Sequence, residues 1–378
     1  MGNLNDLPAD ILVDILTRLP TESILPCRLV SKSWKNLISR HPCFSQMHLS
    51  RLQHTDESFL IRGENQQLHY FEYIDENEKP IDCIKRVNLT PPFTSSYILL
   101  GSFNGLVCLY GLEDYTACLC NPVTKEYVML PKIHRDFDDD GYIHYLTGFG
   151  FLTSTHEYKV VEMYKLKTDL NVLLVGVYTV GNGNGWRSVG RLDTKFTKVN
   201  EGVGVYVNGA LHWMDKHRGR ILVFDLIKEK FSEYLSPPPL SPYSTWYDYT
   251  LGDLGVVLYI AVESNFDIEE GPCFDVWLLD DKNDKRDMKE QAGQEPLCWS
   301  KVFRLPERRP LAFTKSGGLL CFNCASLGVY DALTASSKKL VDFRLIIQIF
   351  PHKNTLVSLK ELGEEDTKIM GSAEVEDT

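Results

Sequence analysis

Apolar residues recur at helical spacing through the first 44 positions, and beyond residue 50 they shorten into runs bounded by turn residues. In the stretch Leu7-Pro8-Ala9-Asp10-Ile11-Leu12-Val13-Asp14-Ile15-Leu16-Thr17-Arg18-Leu19-Pro20, the apolar side chains of a helix would cover about half its circumference, with Val13 widening the arc. Pro8 suits the first helical position, Asp10 the first turn, and Pro20 ends the helix. Two further short helices are expected from Ser23 to Ile38, with Ser31 as N-cap of the last. Three helices this small bury little of their own surface. Their surplus apolar arc therefore predicts a partner.

The longer part of the chain repeats. Glycines 63, 105, 150, 209, 255 and 318 each mark a short apolar or aromatic strand, at intervals of 42, 45, 59, 46 and 63 residues. A strand, an Asn or Asp turn and a further strand follow in Leu119–Pro131, Phe224–Phe231 and Val329–Thr334. Asn and Asp open such turns because their side chains bond the backbone two residues on. Outer strands are foreseen at Trp186–Val189 and Trp299–Phe303, and Thr355–Leu359 is foreseen as a late strand closing the ring. Strand–turn–strand units at this period, with almost no helical periodicity between them, point to a β-propeller of about six blades. The fold class is therefore mainly β behind a three-helix head.

Two resemblances sharpen this reading. The run Leu-Pro-x-Asp-Ile-Leu-x-x-Ile-Leu-x-Arg-Leu-Pro, then Ser-Ile-Leu and Arg-x-Val-Ser-Lys-Ser-Trp, resembles an F-box over residues 4–44. That family is a three-helix module docking on the Skp adaptor of cullin-based SCF ubiquitin ligases. Pro26-Cys27 departs from the Arg-Phe more common in the plant form and is expected to shift the start of the second helix. Asn-Gly-Leu-x-Cys, Asn-Pro-x-Thr and Leu-Pro within residues 98–131 resemble the plant F-box-associated domain, which is kelch-related. The expected organisation is an F-box at 1–47, a propeller at 52–360 and an acidic disordered tail at 361–378.

Net charge of −11 argues against a nucleic-acid backbone as a general partner. No apolar run reaches the roughly 18 residues of a membrane span. The N-terminus lacks the basic start of a signal peptide, so the expected compartment is cytoplasm or nucleus, with its ten scattered cysteines reduced. Asp136-Phe137-Asp138-Asp139-Asp140-Gly141 opens like a calcium loop, but Thr147 stands where the bidentate Glu belongs. Cys321 and Cys324 are half of a zinc spacing, and no second pair follows. Gly181-Asn182-Gly183-Asn184-Gly185 reads as a hairpin turn, His212 as a strand histidine, and Asp280–Glu295 as a charged loop. No catalytic residue, metal site or cofactor is assigned.

The F-box resemblance implies adaptor contacts at Leu7, Pro8, Ile11, Leu12, Ile15, Leu16, Leu19, Pro20, Leu25, Val30 and Trp34, some of which must instead hold the helices together. Loop aromatics are the usual anchors for a target protein. Tyr243, Trp246, Tyr247 and Tyr249 after the Pro237-Pro238-Pro239 run, then Tyr142, Tyr145 and Trp186, are the candidates. The function implied is the non-catalytic substrate receptor of an SCF ligase, bound through Skp to a cullin and presenting an unidentified target. A non-degradative scaffold or carbohydrate-binding module on the same adaptor is the alternative, and a kelch-type enzyme with an incidental helical cap is a third reading.

Overall fold

The computed structural model describes residues 7–41, 44–52, 57–74, 84–133, 142–193, 202–216, 219–239, 245, 249–264, 273–280, 298–306 and 308–372. The head contains α1 (Ala9–Leu16), α2 (Thr21–Cys27), α3 (Lys32–Arg40) and α4 (Phe44–Leu52). Ser31 caps α3 as foreseen, its Oγ accepting a hydrogen bond from the Trp34 amide at 3.1 Å. A fourth helix, ending at Leu52, follows the three expected. Contrary to the expected effect on the helix start, α2 begins at Thr21 after Pro20, and Pro26-Cys27 falls in its last turn.

Among the described residues, the strands build six sheets arranged as propeller blades. From the innermost strand outward, the first blade is Ile346–Pro351, Glu57–Gly63, Leu68–Tyr73 and Lys85–Arg86. The second is Tyr97–Phe103, Leu106–Gly111, Thr116–Cys120 and Glu126–Met129. The third is Tyr142–Leu152, Glu157–Leu166, Asp169–Thr179 and Trp186–Asp193, and the fourth is Val205–Val207, Ala210–Asp215, Arg220–Asp225 and Lys230–Phe231. The fifth is Tyr249–Leu254, Val257–Ser264, Cys273–Asp280 and Cys298–Pro306, and the sixth is Arg309–Phe313, Leu319–Phe322, Ser326–Asp331 and Ser336–Asp342.

Strand alternation explains why blades form a ring. Successive side chains leave a strand on opposite faces, and a blade is buried on both. Leu60 packs toward the second blade while its neighbours Phe59 and Ile61 pack toward the sixth. Val160 likewise joins the core between the second and third blades, and Val161 the core between the third and fourth. The sequence accordingly reads as continuous apolar runs rather than as alternation.

The Asx turns are borne out three times. The Oδ1 of Asn121 accepts from the amides of Val123 and Thr124, that of Asp225 from Ile227 and Lys228, and that of Asp331 from Leu333 and Thr334. In each turn the fourth residue on (Lys125, Glu229, Ala335) takes a left-handed φ. The two outer-strand tryptophans share a role too. Trp186 Nε1 donates to Pro131 O at 2.5 Å and Trp299 Nε1 to Ser236 O at 2.8 Å, each clipping its blade to the end of the preceding one. A bidentate Arg187–Glu229 pair, joined by Lys159 Nζ at 2.9 Å, ties the third blade to the fourth.

Gly150 is not a turn. It lies within the innermost strand of the third blade, where a Cβ would come within 2.5 Å of Leu226 and 2.6 Å of Tyr206. The ring closes through Ile346–Pro351 rather than Thr355–Leu359, with Phe59 opposite Pro351 and Ile61 opposite Ile349. The closing strand thus comes from the C-terminal end and pairs with a strand from near the N-terminal end.

The acidic tail is also corrected. Residues 352–372 form an ordered strap over the second blade and its neighbours, held by its few apolar and hydrogen-bonding side chains. Lys368–Ile369 adds an edge strand to the second blade, Met370 is buried, and Glu364 accepts from Tyr178 Oη and the Gly181 amide. Gly105 (φ 83°) lets the strap cross closely, since a Cβ there would meet Thr355 Oγ1 at 2.1 Å. Only residues 373–378 of the expected tail lie outside the described residues.

Candidate functional site

The head divides its apolar residues between two faces. Leu12, Leu16 and Trp34 are buried, together with Val13, Ile24, Ile38 and Phe44, and they hold the helices to one another. Leu7, Leu19 and Leu25 pack partly against that core. Pro8, Ile11, Ile15, Pro20 and Val30 face solvent. Pro8, Ile11 and Ile15 fall within about 60° of one another at 100° per residue, so they form a stripe along α1. Ile11 is 45% exposed and Ile15 41%. Leu29, absent from the sequence-based set, is 88% exposed beside Val30 at 60%. The turn 28–30 is too short to bury both residues before the Ser31 cap, which is the signal that could have identified Leu29.

Polar contacts fix the inner side. Asp14 pairs with Arg18 at 3.0 Å and with Arg51 of α4 at 2.5 Å, and the Arg51 guanidinium holds its carboxyl below the usual range. His48 Nε2 meets Leu19 O at 3.0 Å, and burial pushes that imidazole below its ordinary pKa.

The strap seats the head on the propeller. Leu356 enters the helical core beside Val123. Thr21 Oγ1 donates to Asn354 O at 2.7 Å, Asn354 Nδ2 to Glu22 Oε1 at 2.6 Å, Ser45 Oγ to Glu361 Oε2 at 2.8 Å, and Lys353 Nζ to Leu52 O at 3.0 Å. The strap is itself pinned by Asn121, whose amide donates to Thr355 O at 3.1 Å and Val357 O at 2.8 Å. Strand polarity places all of this on one face of the ring, where the first and second strands of each blade connect. The opposite face carries the connections between blades and the turns joining second to third strands.

The target candidates fare differently. Tyr249 is a core residue, 1% exposed, its Oη donating to Pro239 O at 3.1 Å, because it opens the innermost strand of the fifth blade. Trp186 is half-buried, stacked edge-on against Tyr178 and used as the inter-blade clip. Tyr249 is therefore not a free loop anchor. Tyr142 and Tyr145 lie on the innermost strand of the third blade, and their side chains fall outside the described residues, as do Tyr243, Trp246 and Tyr247.

Other chemistry is sparse. Among the described residues no group of three or more His, Cys, Asp or Glu could hold a metal ion, and no helix is long and apolar enough to cross a membrane. The calcium-like loop and most of Asp280–Glu295 lie outside the described residues. Cys321 is a buried core thiol, whereas Cys324 is exposed. Burial pushes the Cys120 thiol up to about 12, far from a nucleophile's range. His212 is a buried strand histidine held by Val205 O, and Gly181–Gly185 is the hairpin turn before Trp186.

Comparison with known proteins agrees with this architecture. Residues 4–46 match the F-box domain, and residues 58–317 match the F-box associated beta propeller domain. The F-box protein At3g07870 of Arabidopsis thaliana is 29% identical over 62% of this chain, and the match spans 61% of that relative's length. The Arabidopsis F-box protein CPR1 is 27% identical over 90% of this chain and 84% of its own. The Arabidopsis F-box/kelch-repeat protein At3g23880 is 24% identical over 94% of this chain and 98% of its own. With the propeller match alone spanning more than half of its length, the chain belongs to the plant family of F-box proteins that carry an F-box-associated β-propeller.

Proposed function

We propose that this protein is the substrate-recognition subunit of an SCF-type cullin ubiquitin ligase, with the head docking on the Skp adaptor and the propeller holding a target protein. The observation that carries this reading is the exposed stripe of Pro8, Ile11 and Ile15, with Leu29 and Val30, on a head whose other face is already occupied. Fully burying side chains of this kind contributes about 1.5–3 kcal/mol each, enough for a stable helix-mediated contact. Of the expected adaptor residues, Pro8, Ile11, Ile15, Pro20 and Val30 are assigned to the contact, and Leu12, Leu16 and Trp34 to the head's own core.

The receptor does no chemistry of its own in this scheme. Held through Skp and a cullin near a charged conjugating enzyme, it raises the effective concentration of the target's lysines. A compartment with that machinery, cytoplasm or nucleus, follows from the same reading.

Co-purification of the full chain with the Skp adaptor tests it. Ile11→Asp with Ile15→Asp is expected to abolish adaptor binding while leaving the unfolding midpoint of the propeller unchanged. A wild-type chain that fails to bind the adaptor overturns the proposal.

A further inference from the structure

A cavity of about 220 Å³ opens between the first and second blades, on the face away from the head. Its rim is the turn Asn65-Gln66-Gln67 on one side and the connection from Arg86 to Tyr97 on the other. Pockets for drug-sized ligands run to about 300–1,000 Å³, so this one has room for a side chain rather than a cofactor.

Its chemistry is one-sided. Among the described residues no carboxylate lines it, although the chain as a whole carries a net charge of −11. The polar groups are the exposed Arg86 guanidinium, which makes no ion pair among the described residues, with the Gln66 and Gln67 amides and the Thr90 and Ser95 hydroxyls. Ser95 Oγ is shielded from solvent and has no hydrogen-bond partner, an orphan donor that a ligand would satisfy. Phe93, stacked on Tyr97 with centroids 5.8 Å apart, supplies an apolar wall.

The turn is held in a costly shape. Asn65 and Gln66 have φ of 55° and 61°, and two consecutive non-glycine residues in the left-handed region cost of order 1 kcal/mol each. The surroundings impose that shape. Tyr97 Oη donates to Gln66 O at 2.5 Å, and buried Arg62 donates to Gln66 Oε1 at 2.9 Å and to Gln348 Oε1 at 2.8 Å. Gln348 sits on the closing strand and also bonds both the amide and the carbonyl of Leu99, which locks the pocket floor to both blades. Such preorganisation removes much of the ordering cost of binding.

We propose that this pocket receives the carboxylate side chain of an extended acidic segment in the target protein, with Arg86 and the Ser95 hydroxyl as its partners. Charge-assisted bonds from a guanidinium to a carboxylate are about twice as strong as neutral ones, and an acidic motif read by arginine is a recurrent mode of peptide recognition. The inference rests on the receptor reading above and adds the class of target to it.

The test uses the full chain bound to the Skp adaptor as bait for a displayed library of random twelve-residue peptides. Selected peptides are expected to share an Asp or Glu at one position, and its replacement by Asn or Gln should weaken binding tenfold or more. Arg86→Glu and the cavity-filling Ser95→Phe should each abolish peptide binding while adaptor co-purification is unchanged. A selection with no shared acidic position, or peptides indifferent to Arg86→Glu, overturns the pocket assignment alone. Loss of the wild-type adaptor complex overturns the receptor reading instead, so the two failures are distinguishable.

Discussion

Replacing Asn121 with alanine should do more damage than the size of the change suggests. The Asn121 side chain is fully buried and makes four hydrogen bonds, two within its own turn and two to the carbonyls of Thr355 and Val357. Thr355 and Val357 are themselves 0% and 1% exposed, so water cannot take over from the lost amide. Leaving each of the two buried acceptors unpaired costs about 1–3 kcal/mol, and the turn bonds add about 1 kcal/mol each. The sum is about 4–8 kcal/mol, a large share of the about 5–15 kcal/mol that typically separates folded from unfolded.

Part of that loss should be local. Lys353, Lys360 and Lys368 lie in the strap, and trypsin cleavage there reports its opening. If the strap alone loses about 3 kcal/mol, cleavage should rise about a hundredfold. Asp331→Ala is the control, because Asp331 makes the same turn bonds in the sixth blade and touches no strap. Urea unfolding and a trypsin time course on the two variants decide the matter. Equal loss of stability in both, with the strap cut at the wild-type rate, would refute the reasoning.

Leu356→Ala removes the strap's contribution to the helical core and should cost about 2–5 kcal/mol, seen as early melting of the helical circular-dichroism signal. Trp186→Phe and Trp299→Phe each delete one indole donor with little change in packing, and each should lower stability by about 1 kcal/mol in urea titration. Glu229, held below its ordinary pKa by Arg187 and then Lys159, contributes stability that is present above the unfolded carboxylate's pKa and lost as pH falls through the lower folded value. Glu229→Gln should therefore be destabilised at neutral pH, with the gap to wild type closing in acid. Burial drops the His352 imidazole to about 4, so its contribution is intact above about pH 6.5 and declines by up to about 1.4 kcal/mol per unit down to about pH 4. Unfolding midpoints of His352→Leu across that window should lose this slope.

The repeat was legible because each blade needs the same local devices. Asn121, Asp225 and Asp331 announce their turns through side-chain chemistry that operates within three residues. The helical head was legible for the same reason, since Ser31 and the apolar spacing of α1 are local signals. Gly150 misled because a glycine required for close packing against Leu226 and Tyr206 looks in sequence like one required for a turn. The strap was hidden by its composition. Two of its acidic residues have distant partners, Glu361 in Ser45 and Glu364 in Tyr178 and Gly181, and no window of sequence contains both members of such a pair. Tyr249 was misplaced because an aromatic beside prolines resembles a loop anchor, whereas the innermost strand of its blade draws it inward.

Closing the ring with Ile346–Pro351 has a consequence for the order of events during synthesis. The first blade lacks its innermost strand until residue 351 has emerged, and Leu356 reaches the helical core later still. Pairing across nearly 300 residues is slow, and the unpaired edge of Glu57–Gly63 is open to wrong partners in the meantime. A message cut short anywhere before residue 346 yields helices without a seat and a ring with a gap. Synthesis past Leu356 is thereby written into the fold as the condition for a firmly mounted head.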